Sequence, residues 1–359
     1  MNYAQRRQKA VDLLTALELD ALVLCEPENI RYLCGFTGSD GTLIISTEQL
    51  VFLTDSRYTT QAGNEVSADK IEEYKLKNDA IVAVLSSQVV KRVGFEAGLA
   101  VGVFNDLREK GGQDWQWLPL QDEIQSLRLH KSADEIRLIE TAAELNLAGF
   151  AEVRQMIRPG VREVEIALAL EFALRKRGAE EKAFEIIVAS GERGALPHGV
   201  ASDKLLAEGE LVTIDFGCRY SGYHSDETVT FALGRVVDEL RRMYDIVQEA
   251  HDRAIAAVAP GIGLAELDKV ARDYIKGCGY AEYFGHGLGH GVGLAVHEPP
   301  VVASRSKAIA ETGMVFTVEP GIYVPGKGGV RIEDMVLVTA DGHRVLTKIP
   351  KTFENILLR

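Results

Sequence analysis

The chain has 359 residues, and at about 150 residues per domain that length predicts two domains. Its 46% hydrophobic and 26% charged residues fit a globular protein, while a net charge of −13 excludes a general nucleic-acid or anionic-membrane binder, which needs a basic surface. No run reaches the roughly 18 apolar residues of a membrane-spanning helix, and Asp12, Glu18 and Asp20 interrupt the apolar residues of the N-terminal stretch, so a secretory leader is not expected and the cytoplasm is the expected compartment.

The opening stretch "MNYAQRRQKAVDLLTALELDALVLC" reads as an amphipathic helix followed by a strand. "DALVLC", "GTLIIS" and "LVFLTD" read as strands, and "RVGFEAG" as a strand and turn. "AIVAVLSSQ" fits helix and strand equally. These elements predict an N-terminal α/β domain over 1–127, with neither GxGxxG nor GxxxxGK[ST] to support a nucleotide site. The join falls near "LRLHKSADEIRLIE", where Ser132 is the expected N-cap and Asp134 and Glu135 suit a first helical turn. That helix is expected to run to about Arg158 and to stop at Pro159-Gly160. A second helix ends at Gly178, and two more are expected over 236–259 and 263–276. The strands "FEIIVAS", "ELVTIDFG", "YHSDETVTFALG", "GMVFTVEPGIYV" and "GVRIEDMVLVTA" complete an α+β domain over 128–359, with hairpin-type, largely antiparallel pairing. Cys25, Cys34, Cys218 and Cys278 have no C-x-x-C spacing and read as reduced, packed thiols.

"LVTIDFGCRYSGYHSDETVTFALG" is a hairpin in outline, with strands over 211–216 and 223–233. Side chains alternate along a strand, so Val212, Ile214 and Phe216 share one face and Thr213 and Asp215 the other; Asp226, Thr228 and Thr230 share a face on the return. "TVEPGIYVPGKGGVRIEDMVLV" repeats the arrangement, with Glu319 ending an apolar strand and Arg331 and Glu333 on one face of the next. Four acids brought close together repel one another and raise each other's pKa unless cations sit among them.

"YFGHGLGHGVGLAVHEPP" supplies three histidines, His286, His290 and His297, on a glycine frame. Glycine serves where backbone must bend sharply or approach a ligand closely. Four acids and one of these histidines make an oxygen-and-nitrogen donor set that suits two divalent ions such as manganese, cobalt or zinc. His130, His224, His251 and His343 read as packed or surface residues, and there is no HExxH helix signature.

Taken in order, Asp215 and Asp226 in "IDFGCRYSGYHSDET", His290 in "GHGLGHGVG", Glu319 in "TVEPGIY" and Glu333 in "RIEDMVLV" resemble the five-ligand pattern of the metallopeptidases related to methionine aminopeptidase, aminopeptidase P and prolidase. "LPHG" and "HEPP" add to the match, and "NIRYLCGFTGSDGTLIIS" and "FLTDSRYTTQA" resemble the creatinase-type N-terminal domain. The resemblance implies a pita-bread catalytic domain, with a curved antiparallel sheet backed by helices, and two divalent metal ions, most often manganese. It implies Asp226 and Glu333 as bridging ligands, Asp215 on one metal, and His290 and Glu319 on the other. It further implies that Glu319 acts as base or proton shuttle, that His198 and His297 contact substrate and the reacting centre, that His286 lines the proline side, and that Arg331 matches an arginine of the Xaa-Pro branch. The expected activity is hydrolysis of Xaa-Pro dipeptides or peptides by a homodimer. The alternatives are a methionine-aminopeptidase-like enzyme and an inactive binding protein on the same fold. One departure stands out: the family pattern Asp-x-Thr-Arg-Thr reads Asp226-Glu227-Thr228-Val229-Thr230 here, and valine cannot supply guanidinium contacts.

Overall fold

The computed structural model describes residues 1–112 and 114–358. The chain forms two compact units, Met1–Arg128 and Leu129–Arg359. The N-terminal unit carries a six-stranded mixed sheet of β1 (Ala21–Leu24), β2 (Thr42–Ser46), β3 (Leu50–Thr54), β4 (Lys70–Glu73), β5 (Arg92–Glu96) and β6 (Gln116–Leu120), in the order β4-β3-β2-β1-β5-β6. Every residue of β1, β2 and β3 is buried, which explains their continuous apolar runs: a sheet covered on both faces has no polar side to alternate with. The ambiguous "AIVAVLSSQ" lies mostly in a helix, Lys77–Ser86, whose buried Ile81, Val84 and Leu85 follow the three- and four-residue spacing of a helix face.

In the C-terminal unit, the helix Ala133–Val153 starts on a complete capping box. Ser132 N–H donates to Glu135 Oε2 at 2.9 Å, and Glu135 N–H to Ser132 Oγ at 3.4 Å. The helix ends at Val153, with a 3₁₀ turn over Arg154–Met156, short of the expected Arg158. Further helices span Glu163–Lys176, Asp238–Ala257 and Leu264–Gly277.

After β7 (Glu181–Lys182) and β8 (Ile187–Ser190), the first hairpin comprises β9 (Leu211–Phe216), β10 (Cys218–Tyr220), β11 (Tyr223–His224) and β12 (Glu227–Leu233). Ser221 and Gly222, at φ +46° and +80°, make its two-residue turn. Then follow β13 (Gly289–Gly291) and β14 (Glu298–Val302), and the second hairpin comprises β15 (Val315–Val318), β16 (Gly321–Val324), β17 (Gly328–Arg331) and β18 (Asp334–Thr339), before β19 (Gly342–Val345) and β20 (Leu357–Leu358). Sheets run β20-β12-β9-β8, β14-β13-β15-β18-β19 and β11-β10-β7, with β16-β17 as a separate ribbon. Every pairing but β12–β20 is antiparallel. This is the expected α+β, pita-bread class.

Both hairpins are interrupted where the sequence reads as continuous strand. The first passes from one sheet to another at Gly217 and Ser225–Asp226, the second at Glu319–Pro320 and Ile332–Glu333. A Cβ at Gly217 would stand 1.9 Å from the Ser225 carbonyl oxygen, so only glycine lets the two arms approach there. In register, Thr228 faces Asp215 and Thr230 faces Thr213, so the expected polar face forms, with the two threonine hydroxyls 3.0 Å apart. The opposite face carries Phe216 and Phe231, which stack on Phe150 of the helix Ala133–Val153 at centroid distances of 5.9 and 5.1 Å. Burial of these rings fixes which face the acids take. Val229 lies in this core, opposite Ile214, and is fully buried, so the departure from the family pattern falls on the packed face.

Candidate active site

A cavity of about 1000 Å³ opens on the polar face of the hairpins. All nine residues singled out in the sequence line it: His198, Asp215, Asp226, His286, His290, His297, Glu319, Arg331 and Glu333. His130, His224, His251 and His343 do not. Asp226, Glu319 and Glu333 occupy the breaks in the two hairpins, where the chain leaves one sheet and a side chain is freed from cross-strand neighbours.

The acids and His290 converge. Asp226, His290 and Glu333 each offer a donor atom within 4.8 Å of the others. His290 Nε2 lies 3.6 Å from Asp226 Oδ2 and 3.4 Å from Glu319 Oε1. His290 Nδ1 lies 3.1 Å from the Gly291 carbonyl oxygen, which can only accept, so Nδ1 carries the proton. Burial holds the His290 pKa below its usual value, so the ring is neutral and Nε2 presents a lone pair to carboxylate oxygens. Lone pairs meeting lone pairs need a proton or a metal cation between them.

Burial pushes Asp226 and Glu333 well above the usual carboxylate range, and the neighbouring acids push further: Glu333 and Asp215 on Asp226, Glu319 and Asp215 on Glu333. Burial also raises Glu319. Asp215 Oδ1 is buried without a hydrogen-bond partner, while Asp215 Oδ2 accepts from Arg331 Nη2 at 2.6 Å. Each of these observations fits divalent cations held by these five residues.

The surroundings hold the donors in place. Thr228 Oγ1 donates to Glu333 Oε2 at 2.6 Å and accepts from Arg331 Nε at 3.1 Å. Thr317 Oγ1 donates to Glu319 Oε1 at 3.1 Å and accepts from His290 N–H at the same distance. Arg331 is buried, and its remaining donors go to the Pro197 carbonyl and the Tyr323 hydroxyl. Tyr323 Oη in turn lies 2.9 Å from His286 Nε2.

Two buried acids shape the loops that bring the histidines in. Glu163 accepts from the backbone N–H and hydroxyl of both Ser190 and Ser202, and pairs with Arg193, bracketing the segment that bears His198. Asp268 accepts from Leu288 N–H and pairs with Arg272, whose guanidinium donates to the Phe284 and His286 carbonyls. Lys131 pairs with Glu298 at 2.9 Å, beside His297. The His290 and His297 rings lie 4.2 Å apart.

Two residues of the glycine frame approach neighbouring backbone closely. A Cβ at Gly289 would meet the Thr317 carbonyl oxygen at 1.9 Å, and one at Gly291 the Pro299 carbonyl oxygen at 2.2 Å. These two glycines are required because β13 is squeezed between neighbouring backbones. Gly285, by contrast, has open space around its Cβ position.

Sequence reasoning missed Tyr323, Thr317, Glu163 and Arg305. Tyr323 shares strand periodicity with the ribbon and sits eight residues before Arg331, a signal that was available. Glu163 lies 27 and 39 residues from its serine partners, and nothing local announces it. Arg305 also lines the cavity, and among the described residues it makes no hydrogen bond or ion pair.

The metallopeptidase family M24 model matches residues 137–340, and the creatinase/prolidase N-terminal domain model matches residues 6–130. The chain belongs to metallopeptidase family M24. Its membership makes it a peptidase of a family that uses divalent metal ions. This M24 chain is 38% identical over 344 residues to the Xaa-Pro dipeptidase of Pyrococcus horikoshii, covering 96% of this chain and 97% of that one. The solved Xaa-Pro dipeptidase from Bacillus anthracis superposes with a TM-score of 0.96 at 41% identity, over 99% of this chain and 100% of that one. The X-Pro aminopeptidase from Thermotoga maritima gives 0.88 at 37%, over 98% and 100%. No helix among the described residues of the M24 chain is long and apolar enough to cross a membrane.

Proposed function

We propose that this M24 peptidase is a metal-dependent hydrolase of the bond between an N-terminal residue and proline, with Xaa-Pro dipeptides as preferred substrates. One observation carries the metal dependence: a buried cluster of carboxylates around a neutral imidazole, of which Arg331 at its edge pairs with Asp215 only. Asp215, Asp226, His290, Glu319 and Glu333 would hold two divalent ions, manganese being the first candidate and cobalt or zinc the alternatives. When bound, such ions supply Lewis acidity and lower the pKa of water, which makes a nucleophile available near neutral pH.

The chain's own residues supply the rest. Glu319, oriented by Thr317 through one oxygen, takes a proton from the attacking water and delivers it to the leaving nitrogen. That delivery is needed because a proline nitrogen in peptide linkage carries no hydrogen of its own. His297, kept neutral by burial and by the nearby His290, donates an N–H to the developing oxyanion. His198 holds the substrate backbone, and His286, fixed by Tyr323, borders the proline ring. Phe184, Ile187 and Val301 add apolar walls to the cavity. Arg331 steadies Asp215 and, as a residue of the cavity wall, would border the bound substrate.

Arg305 favours dipeptides: an uncommitted guanidinium lining the cleft attracts the carboxylate that Xaa-Pro carries on the proline itself, a position a longer peptide fills with a neutral amide. The chain is further proposed to act in the cytoplasm as a homodimer, with its catalytic domain over 128–359. The test is kcat/KM of metal-loaded enzyme for Ala-Pro, Ala-Ala and Ala-Pro-Ala. Equal rates on Ala-Pro and Ala-Ala defeat proline specificity. Arg305→Ala should raise KM for Ala-Pro about tenfold, one charge-assisted contact's worth, and leave Ala-Pro-Ala nearly unchanged. A methionine-aminopeptidase-like enzyme would instead cleave Met-Ala-Ser best, and an inactive binding protein would cleave nothing.

A further inference from the structure

The residues that immediately follow two proposed metal ligands form a second buried acidic pair. Glu227 follows Asp226, and Asp334 follows Glu333. Because side chains alternate along a strand, Glu227 and Asp334 point away from the cavity. Both meet Lys351, which comes from the segment after β19. Lys351 Nζ donates to Glu227 Oε1 at 2.7 Å, to Asp334 Oδ1 at 2.6 Å and to the Ile349 carbonyl at 3.1 Å. Ile349 N–H donates to the same Glu227 oxygen at 3.1 Å. Asp334 also receives the Thr347 hydroxyl on Oδ1 and faces His251 Nε2 at 3.1 Å through Oδ2. Lys351 is 9% exposed, Glu227 0% and Asp334 8%.

The geometry points to Lys351 as a positioning residue that sets the spacing of Asp226 and Glu333 for metal. β12 and β18 belong to different sheets, so no backbone ladder between them fixes that distance. One ammonium held by a carboxylate at the first residue of each strand does so from behind. Glu333 N–H donates to the Thr228 carbonyl at 3.2 Å, a backbone bond between the two arms at this level, and Lys351 closes the same junction on its far side. Outer partners of this kind orient the groups that touch a metal, and their loss typically weakens metal binding roughly 10–100-fold.

This inference rests on the proposal that Asp226 and Glu333 hold metal, and the experiment separates the two. Cobalt(II) is titrated into metal-free wild-type protein, Lys351→Met, Glu227→Gln and Asp334→Asn, following calorimetric Kd and the visible absorption of bound cobalt. Lys351→Met should weaken cobalt binding tenfold or more and alter the absorption bands. The isosteric Glu227→Gln and Asp334→Asn variants, which keep the fold if Lys351→Met does not, each slacken one arm and should weaken binding by threefold or more with a change in the same bands. If wild type binds no cobalt, the metal reading and this inference both fall. If wild type binds and the folded variants match its Kd and spectrum, this inference alone is overturned, and Lys351 serves only to balance buried charge.

Discussion

The hairpins carry two pairs of buried acids on opposite faces, one residue out of step: Asp226 and Glu333 towards the cavity, Glu227 and Asp334 towards the interior. The inner pair has a cation supplied by the chain. Against a burial penalty, the Lys351 charge and the nearby His251 ring pull Asp334 down to about 2. Burial, with the neighbouring Asp334 charge, lifts Glu227 to about 7 despite Lys351, and its second oxygen has no partner. Among the described residues no lysine or arginine bonds the cavity pair directly: Arg331 nearby is bonded to Asp215, and its pull is outweighed by burial and the acidic neighbours, which drive both members well up. The same residue types on the same strands thus become a structural element on one face and a ligand set on the other. What decides is whether the fold brings its own positive charge.

The contrast can be broken most sharply at adjacent residues. Glu333→Ala removes a donor to metal and should reduce kcat by about a thousandfold or more. It also relieves repulsion among buried acids, so the metal-free variant should keep or raise the wild-type melting temperature; a clear fall would show that Glu333 is structural. Asp334→Ala does the reverse. It takes from Lys351 one of its two buried carboxylates and from Thr347 and His251 their partner, and should cost about 3–5 kcal/mol, read as a lower urea midpoint at unchanged slope. A loss under about 1 kcal/mol would mean that the inner pair is not the structural one.

Acidity sharpens the comparison further. In metal-free protein the raised carboxylates of Asp226 and Glu333 bind protons that the unfolded chain, at an ordinary pKa of about 4, has already released. Folded protein then holds more protons than unfolded, so this pair's contribution to stability falls as pH rises from about 4 through the raised values. A divalent cation must displace those protons. The rise in melting temperature on adding manganese should therefore be larger at pH 8 than at pH 6. A rise independent of pH would contradict the raised carboxylates. The smallest effect is expected at Thr228, where the isosteric Thr228→Val deletes the hydroxyl that serves Glu333 and Arg331. Manganese affinity should drop roughly tenfold, the lower end for such partners, with the melting temperature of metal-free protein changing by only a few degrees.

Much of this was legible in the sequence because its signals are local. Apolar alternation around Asp215 and Thr228 assigned the polar face, and Ser132 with Glu135 marked a helix start that the structure caps as a box. Pro159-Gly160 bounded the following turn, though the helix itself ended earlier. The breaks in the hairpins were not legible. "GMVFTVEPGIYV" reads as one strand, and only the change of partner from β18 to β17 reveals that Glu319 stands at a junction. Lys351 lies 124 residues from Glu227, and Glu163 is 39 from Ser202. A buried charge pair between distant segments leaves no periodicity to read. The residue that departs from the family pattern, Val229, was flagged by its identity, but its place in the core needed the register against Ile214.

The squeeze around β13 sets the terms for anyone wishing to reshape this cleft. With neighbouring carbonyl oxygens 1.9 and 2.2 Å from where a methyl group would sit on Gly289 and Gly291, even alanine requires backbone to move on either side of His290. In a library covering every position, these two glycines should reject substitution as completely as the metal donors do, but by losing soluble protein and not by losing turnover in folded protein. Gly285, with open space at its Cβ, and the half-exposed Val301 on the cavity wall offer room instead. Altered substrate preference is to be sought there, at the rim, because the floor has no slack to give.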